Sequence, residues 1–354
     1  MSIEPVQQPA PEPVDDHRPL VTVLVPAYNE ALKIMASLTE IYDYMVGLGD
    51  RYRFELLVVD DGSTDETGEI ADAFARSRPE VRVVHQVANM RLGQALRDGF
   101  GESRGDIVVV FDSDLSYSVD HIGLMLDTME NEHVTIVVAS PYMKGGRVSA
   151  IPWRREVMSK QANRMLSMAS QYPIKTITSM VRAYRGPFIR GLSLKAMGPE
   201  INTEIMYKAQ IMRARVAEVP ANLDWSDQTE RMANRKVSLR VSTTSKLLVF
   251  ASFLYRPIAF FLVPGFILLA VSLWSTGSLA LTVYDNLGAE GNLDAQLTHA
   301  FADAWRLRPQ TFIIAGFTFV VAVQLISLGL LATQAKRYFE ELFYAASHRA
   351  MRDA

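Results

Sequence analysis

Two aspartates follow a short apolar run in the segment VVVFDSDLSYSVDH, which covers residues 108–121. The apolar run predicts a buried strand, and Asp112 and Asp114 occupy alternate positions directly after it. Aspartates often end strands because they accept hydrogen bonds from turn backbone. Paired carboxylates are also the hard oxygen ligands that Mg²⁺ and Mn²⁺ prefer. Because a D-x-D pair recurs by chance, the rest of the chain has to decide between two interpretations: aspartates that only stabilise a turn, or aspartates that bind a metal ion.

The chain before residue 235 alternates predicted strands with predicted helices. Five strand patterns are separated by segments with helical spacing, and the second and fourth patterns end in acids. The strand patterns cover residues 20–26, 54–63, 81–86, 106–114 and 134–140. This order predicts an α/β fold with a doubly wound, mostly parallel sheet.

Three of these strands end in polar loops, PAYNE (26–30), DDGSTD (60–65) and DSD (112–114). Open α/β sheets bind ligands at the carboxyl ends of their strands, so the three loops are expected to meet in one crevice. The first loop lacks the glycine-rich motif of dinucleotide-binding proteins, and the sequence contains no Walker A lysine loop. These absences favour binding of a phosphate group through a metal ion over binding by the backbone amides of a glycine-rich loop.

Composition narrows the function classes. The chain has 354 residues, a net charge of −3 and no cysteine. The charge gives no support for general nucleic-acid binding, and the lack of cysteine excludes disulfides, thiolate zinc sites and cysteine nucleophiles. Residues 1–19 are proline-rich and acidic, which predicts a disordered tail and not a signal peptide. Residues 20–235 are predicted to form the catalytic domain.

Two charge-free apolar runs occur in the last third of the chain, at 257–274 and 309–335. Each is long enough, with its flanks, to cross a bilayer, so we predict transmembrane helices at about 256–275 and 310–334 within a 256–354 membrane region. A buried core helix is the alternative. The mixed basic, hydroxyl and apolar residues of 236–255 predict an interfacial segment, with a plain linker as the alternative.

The charges that flank these two runs predict their orientation. Basic residues are concentrated before the first run and after the second, whereas the connecting segment carries four acids against two arginines. The positive-inside rule then places the catalytic domain and both termini in the cytoplasm and the connecting loop outside it, in an integral membrane protein.

The motifs VPAYNE, VVDDGSTD and FDSDL together resemble glycosyltransferase family 2, which has the GT-A fold. The later segments RREVMS, TSMVRAYR and NTEIMYKA, with the paired spans, resemble its polyprenyl-phosphate glycosyltransferase branch. The resemblance covers about residues 20–275 and is loose after about residue 220. It implies a GT-A domain followed by an interfacial segment and two transmembrane helices. It also implies inverting transfer of a sugar from a UDP- or GDP-sugar to a polyprenyl phosphate at the cytoplasmic membrane face.

The resemblance assigns residues to the donor. Those that would hold the nucleoside are Pro26, Tyr28, Glu30, Val59 and Asp61. Asp112 and Asp114 would contact the nucleotide and a Mg²⁺ or Mn²⁺ ion that neutralises the diphosphate as the glycosidic bond breaks, which also makes Asp114 a catalytic residue. Asp60 and Asp65 are interpreted as turn and cap residues.

The resemblance also assigns residues to the acceptor. A lipid phosphate is already anionic near neutral pH, so it needs positioning by cations and not a general base. Arg155 and Ser159 are placed at that phosphate, and Arg182 matches a further catalytic position. A helix-surface role for Arg155 and a structural ion pair for Arg182 are the alternatives.

The sequence departs from the family pattern at two positions. Pro141 stands where an arginine is common, so Lys144 or Arg147 could supply the missing cation. Ser116 stands where a glutamine is common on the metal side, which replaces an amide with a shorter hydroxyl. Asp120 is interpreted as a helix cap.

Two other functions stay open at this point. A polymer-forming synthase of the same fold would be expected to show a Q-x-x-R-W motif and more spans, although two-span chains could assemble into a homo-oligomer. An inactive sugar-nucleotide-binding membrane scaffold would be expected to lose the D-x-D pair or the arginines. The sequence leaves open the choice of UDP or GDP, the sugar, the prenyl chain length and the role of residues 276–308.

Overall fold

The structure is a computed structural model. It describes residues 17–150, 153–169, 174–225, 257–287 and 292–352. The predicted tail therefore lies almost entirely outside the described residues, and the predicted interfacial segment at 236–255 lies wholly outside them.

A seven-stranded sheet forms the core of the N-terminal domain. Its strands are β1 (Leu20–Ala27), β2 (Arg53–Asp60), β3 (Val81–His85), β4 (Ile107–Val110), β5 (Ile136–Ser140), β7 (Arg182–Arg185) and β8 (Val216–Pro220). They lie in the order β3-β2-β1-β4-β7-β5-β8, and all neighbours are parallel except β7, which runs antiparallel to both β4 and β5. The shorter strands β6 (Arg147–Ser149) and β9 (Asn222–Asp224) form a separate parallel pair.

Helices cover both faces of this sheet. They are α1 (Ile34–Gly47), α2 (Thr67–Ala75), α3 (Leu92–Glu102), α4 (Asp120–Asn131), α5 (Trp153–Ala169), α6 (Gly186–Arg190) and α7 (Ile201–Ile211). One apolar cluster joins the sheet to α1, α2 and α4, and a second joins the opposite face to α3, α6 and α7. Strands buried on both faces need continuous apolar sequence, which explains the unbroken runs in β1, β2 and β4. The predicted doubly wound, mostly parallel sheet is confirmed.

Three further helices follow residue 256. They are α8 (Pro257–Asp285), α9 (Leu293–Leu307) and α10 (Pro309–Arg352). The stretches Phe260–Asp285 and Pro309–Ser347 are long and apolar enough to cross a membrane, judged by length and composition. Helices α8 and α10 pack together, and the Ser272 hydroxyl donates to the Ala315 carbonyl at 2.9 Å.

These helices are longer than the predicted spans. Helix α8 continues ten residues past 275, and α10 continues well past 334, because no proline follows either run within that distance. Part of the connecting segment, expected as a loop, forms α9. Its Ala300 and Ala304 are buried in a small apolar cluster with Val283.

Candidate active site

Hydrogen bonds join the loops that follow β1 and β2. Asn29 accepts from the Thr64 amide through Oδ1 at 2.8 Å, and its own amide donates to Ser63 Oγ at 3.0 Å. The Asp65 carboxylate accepts from the Ala31 amide at 3.2 Å. Asn29 has a φ of 55°, a left-handed conformation that asparagine tolerates better than most residues. The two loops therefore form one surface at the carboxyl edge of the sheet.

The residues predicted to hold a nucleoside gather at this edge. Pro26 and Val59 are buried and face each other in the register of β1 and β2. The Tyr28 ring is exposed and Glu30 is half-buried. Pro26 and Val59 thus support the loops from within, while Tyr28 and Glu30 offer side-chain surface to a ligand.

Asp61 is buried at the start of the second loop. Its Oδ1 accepts from the Met90 amide at 2.7 Å, and its own amide donates to the Ala27 carbonyl at 2.9 Å. Burial raises the pKa of the Asp61 carboxyl, and hydrogen bonds from the Met90 and Arg91 amides offset part of that rise. Asp61 therefore holds the segment before α3 against the end of β2, and its contact with a base stays a prediction.

Asp60 has structural partners on both oxygens. Oδ1 accepts from the Ser63 amide at 3.0 Å, as the turn interpretation expects, and Oδ2 lies 3.1 Å from His85 Nδ1. His85 Nε2 lies 3.1 Å from Asp72. Burial lowers the pKa of His85, but the hydrogen bonds to Asp60 and Asp72 outweigh it and raise the pKa above its ordinary value. No sequence pattern indicates this contact, because the three residues belong to different elements.

The D-x-D pair lies beside these loops because β4 is the parallel neighbour of β1. Ser116 contacts both carboxylates: its hydroxyl donates to Asp112 Oδ2 at 3.0 Å, and its amide donates to Asp114 Oδ1 at 3.0 Å. Leu115, which lies between Asp114 and Ser116 in the sequence, has a φ of 53°. This left-handed conformation costs a residue with a Cβ atom about 1 kcal/mol. Ser116, which stands where the family commonly has a glutamine, is thus the residue that orients Asp112 and Asp114.

The electrostatics of the pair fit a cation. Desolvation, followed by the neighbouring Asp114, raises the pKa of Asp112 to about 7, while the Ser116 hydrogen bond lowers it. The Asp112 side chain is half-buried. A divalent ion would offset the unfavourable charge, and carboxylate oxygens are suitable ligands for Mg²⁺ or Mn²⁺.

The two aspartates would supply only part of a metal's coordination shell. Across the described residues, no three His, Asp or Glu side chains come together to hold a metal ion. Mg²⁺ usually keeps several waters and binds through one or two carboxylates plus substrate phosphates, which matches a two-carboxylate site.

A cavity of about 360 Å³ lies beside Asp112 and Ser116. Seven of its twelve lining residues carry a hydroxyl group, namely Ser116, Tyr117, Tyr142, Ser159, Thr176, Thr178 and Ser179. Ser159, which was placed at the acceptor phosphate, accepts a hydrogen bond from the Tyr142 hydroxyl at 2.8 Å. Pro141 also lies in the wall. The structure therefore brings the predicted Ser159 and Asp112 to one cavity.

Asn163 fixes one wall of this cavity and was missed in the sequence. Its side chain is buried in α5, where Nδ2 donates to Thr178 Oγ1 at 3.0 Å and Oδ1 accepts from the Ile177 amide at 2.8 Å. These bonds tie the loop after α5 to the helix that carries Ser159. A lone asparagine inside a helical pattern gives no signal for such a role.

Comparison with known proteins identifies the family. The family model described as glycosyl transferase family 2 matches residues 22–190. The chain is 31% identical over 205 residues to the polyprenol monophosphomannose synthase of Mycolicibacterium smegmatis, a match that covers 56% of this chain and 75% of that protein. The chain belongs to glycosyl transferase family 2. The resemblance predicted from VPAYNE, VVDDGSTD and FDSDL is confirmed, and with it the α/β domain of GT-A type.

Other relatives match over similar lengths. The dolichol-phosphate mannosyltransferase of Pyrococcus furiosus is 32% identical over 202 residues, which cover 56% of this chain and 55% of that protein. The chain thus spans about half the length of this relative. A solved glucosyl-3-phosphoglycerate synthase from Mycobacterium tuberculosis is 21% identical, with a TM-score of 0.47 and coverage of 66% of this chain and 79% of that chain.

Arg182 of this family 2 domain lies in the core and not in the cavity wall. Its side chain is 0% exposed, and its guanidinium donates to the Asn202 carbonyl at 3.0 Å and to the Ile177 carbonyl. Its Nε has no hydrogen-bond partner among the described residues. Because Ile177 lies between two cavity residues, this geometry favours a positioning role, and direct catalysis by Arg182 stays a prediction.

Arg155 lies in the first turns of α5, four residues before Ser159. That spacing places two helix positions on the same face. The Arg155 side chain is outside the described residues, so its contact with an acceptor stays a prediction.

Proposed function

We propose that the protein transfers a sugar from a UDP- or GDP-sugar to a polyprenyl phosphate, with inversion at the anomeric carbon. The observation that carries the proposal is the meeting of the Asp112–Asp114 pair, the loops after β1 and β2, and a hydroxyl-lined cavity that contains Ser159. The two relatives support the acceptor class, since one is named for dolichol phosphate and the other for polyprenol monophosphate.

The donor would bind along the carboxyl edge of β1, β2 and β4. The exposed ring of Tyr28 offers a packing surface for the nucleoside, and the half-buried Glu30 follows two residues later. A Mg²⁺ or Mn²⁺ ion held by Asp112 and Asp114 would neutralise the charge that develops on the diphosphate leaving group. Ser116 donates a hydrogen bond to each of these carboxylates and so restrains both side chains.

The acceptor phosphate would enter the cavity beside Asp112. One of its anionic oxygens forms the new bond to the anomeric carbon, while the bond from that carbon to the diphosphate oxygen breaks and the electron pair leaves with the nucleoside diphosphate. No proton has to move, so the residues around the phosphate need only to bind and orient it. Ser159 offers a hydroxyl at this position, and Arg155 would supply the positive charge.

The membrane would hold the acceptor's prenyl chain. Helices α8 and α10 are long enough to cross a bilayer, and the basic flanks favour a cytoplasmic catalytic domain. The reaction would then take place at the cytoplasmic surface, with the lipid tail left in the bilayer.

A donor panel tests the proposal. Purified protein is incubated with Mg²⁺ or Mn²⁺, a short polyprenyl phosphate and a set of UDP- and GDP-sugars, and products are measured by mass spectrometry. We expect one lipid-linked monosaccharide, and its loss when the metal is chelated. Donor binding without transfer to any acceptor would support an inactive sugar-nucleotide scaffold, and a growing glycan would indicate a polymer-forming synthase.

The role of Arg155 gives a separate prediction. Arg155→Ala is expected to raise the KM for the lipid phosphate about tenfold or more, since a charge-assisted hydrogen bond contributes roughly 1.5–3 kcal/mol. The KM for the donor should change little. Steady-state kinetics with each substrate varied in turn provide the measurement, and Lys160→Ala, which removes an exposed cation from the same helix, is the control. A rise confined to the donor KM would assign Arg155 to the nucleotide.

A further inference from the structure

The last part of α10 continues beyond the apolar run. Residues 309–335 carry no charge, and Lys336 and Arg337 are the first charged residues after them. At 1.5 Å per residue this run is roughly 40 Å long, which is enough to cross a hydrocarbon core of about 30 Å. With α10 across the bilayer, as proposed above, the helix from Lys336 onward would emerge at the membrane surface.

This emerging segment packs on α7 of the catalytic domain. We call the contacting residues the α10 bracket: Lys336, Phe339, Glu340 and Phe343. The Tyr207 hydroxyl donates to Glu340 at 3.2 Å, and the Tyr207 ring stacks on Phe339 with centroids 6.5 Å apart and planes 7° apart. The Lys336 ammonium lies 5.6 Å from the centre of the Tyr207 ring. Tyr207 is only 2% exposed, so this is a packed contact.

The α10 bracket also covers a buried ion pair. The Lys208 ammonium lies 5.2 Å from the centre of the Phe343 ring and pairs with Glu204 one turn earlier in α7. Glu204 in turn accepts hydrogen bonds from the Lys195 and Ala196 amides at 3.0 and 2.8 Å. Glu204 and Lys208 therefore form a structural ion pair within α7. A Phe343 ring over the pair limits water access, which strengthens the attraction between its charges.

Helix α7 connects the α10 bracket to the cavity. The Asn202 carbonyl, in the first turn of α7, accepts a hydrogen bond from Arg182 at 3.0 Å. Arg182 also binds the carbonyl of Ile177, whose two neighbours Thr176 and Thr178 line the cavity. One face of α7 thus contacts the emerging part of α10, and its first turn holds the wall of the proposed acceptor site.

We propose that the α10 bracket fixes the cavity at a set height and orientation above the membrane, so that a membrane-embedded prenyl phosphate reaches it. This inference rests on the proposed function. The bracket begins at the first residue after the charge-free run and ends two turns later, so it holds α7 within roughly 12 Å of the point where α10 leaves the bilayer. The bracket residues are positioning residues, since none of them lines the cavity.

The test separates a membrane-embedded acceptor from a soluble one. The full chain is reconstituted in lipid nanodiscs as wild type, as the double variant Phe339→Ala/Phe343→Ala, and as Leu342→Ala, which removes an exposed apolar side chain from the same helix turn. For the double variant, kcat/KM with a long-chain polyprenyl phosphate in the bilayer should fall about tenfold or more. Its kcat/KM with a short-chain, water-soluble prenyl phosphate should stay within about twofold of wild type, as should both values for Leu342→Ala. Equal losses with both acceptors, or no loss with either, would overturn the proposal.

A second readout needs no activity. Docking on α7 should protect the peptide bonds after Lys336 and Arg337 from trypsin, because cleavage requires local unfolding of α10. The double variant is expected to be cut there about fivefold faster than wild type or Leu342→Ala in the same nanodiscs. Equal cleavage rates would contradict docking itself. If the wild type transfers sugar to neither acceptor yet shows the protection, the proposed function fails while the contact stands.

Discussion

Asp114→Ala is expected to lower sugar transfer at least about a thousandfold, because a metal ion contributes several kcal/mol to stabilising the leaving charge and about 4 kcal/mol corresponds to that factor. The substitution removes one of the two carboxylates that would hold the ion. It also removes the acceptor for the Ser116 amide, a loss of about 1 kcal/mol that a domain of this size tolerates. The fold should therefore persist while turnover is lost.

The measurement combines kinetics with metal titration. Turnover is recorded at saturating donor over a range of Mn²⁺ concentrations, and thermal unfolding confirms that the variant is folded. Asp120→Ala is the matched control, since Asp120 is an exposed carboxylate six residues away whose observed partner is the Ser118 hydroxyl. Undiminished turnover in Asp114→Ala would remove that residue from the site.

The first half of the sheet could be predicted because its signals are local. Apolar runs, helical spacing and acids at strand ends identify β1 to β5 and the helices between them. The rule that parallel strands present ligands at their carboxyl ends then brings PAYNE, DDGSTD and DSD together, as the hydrogen bonds between the first two loops and the parallel pairing of β1 and β4 confirm.

Strand β7 could not be predicted in the same way. It is four residues long, begins and ends with arginine, and inserts antiparallel between β4 and β5. A short strand with two charged ends lacks the apolar pattern of a central strand, and its pairing depends on residues 44 or more positions away. For that reason the segment TSMVRAYR does not predict a strand, although its last four residues form β7 in the structure.

The fine geometry of the site also depends on contacts that sequence spacing does not encode. The left-handed Leu115 lets Ser116 reach both aspartates, and Asn163 joins α5 to a loop 14 residues later. The contact between Tyr207 and Glu340 spans 133 residues. The sequence could identify the residue types of the site, but packing decides which of them orient the others.

Arg182→Met is expected to destabilise the catalytic domain by about 3–5 kcal/mol, in contrast to a purely catalytic substitution. The guanidinium is fully buried and donates to the carbonyls of Asn202 and Ile177, so a thioether would leave both carbonyls without these donors. Each buried polar group left without a partner costs about 1–3 kcal/mol. For a domain of roughly 200 residues the midpoint of thermal unfolding should fall by roughly 10 °C.

The comparison with a surface arginine makes this prediction decisive for the role of Arg182. Arg104→Met removes an exposed guanidinium and should leave the unfolding midpoint within about 2 °C of wild type. If Arg182→Met unfolded at the wild-type temperature and still lost all transfer, the residue would act on the substrate directly. A lowered midpoint would instead show that Arg182 stabilises the fold through its hydrogen bonds to the Asn202 and Ile177 carbonyls.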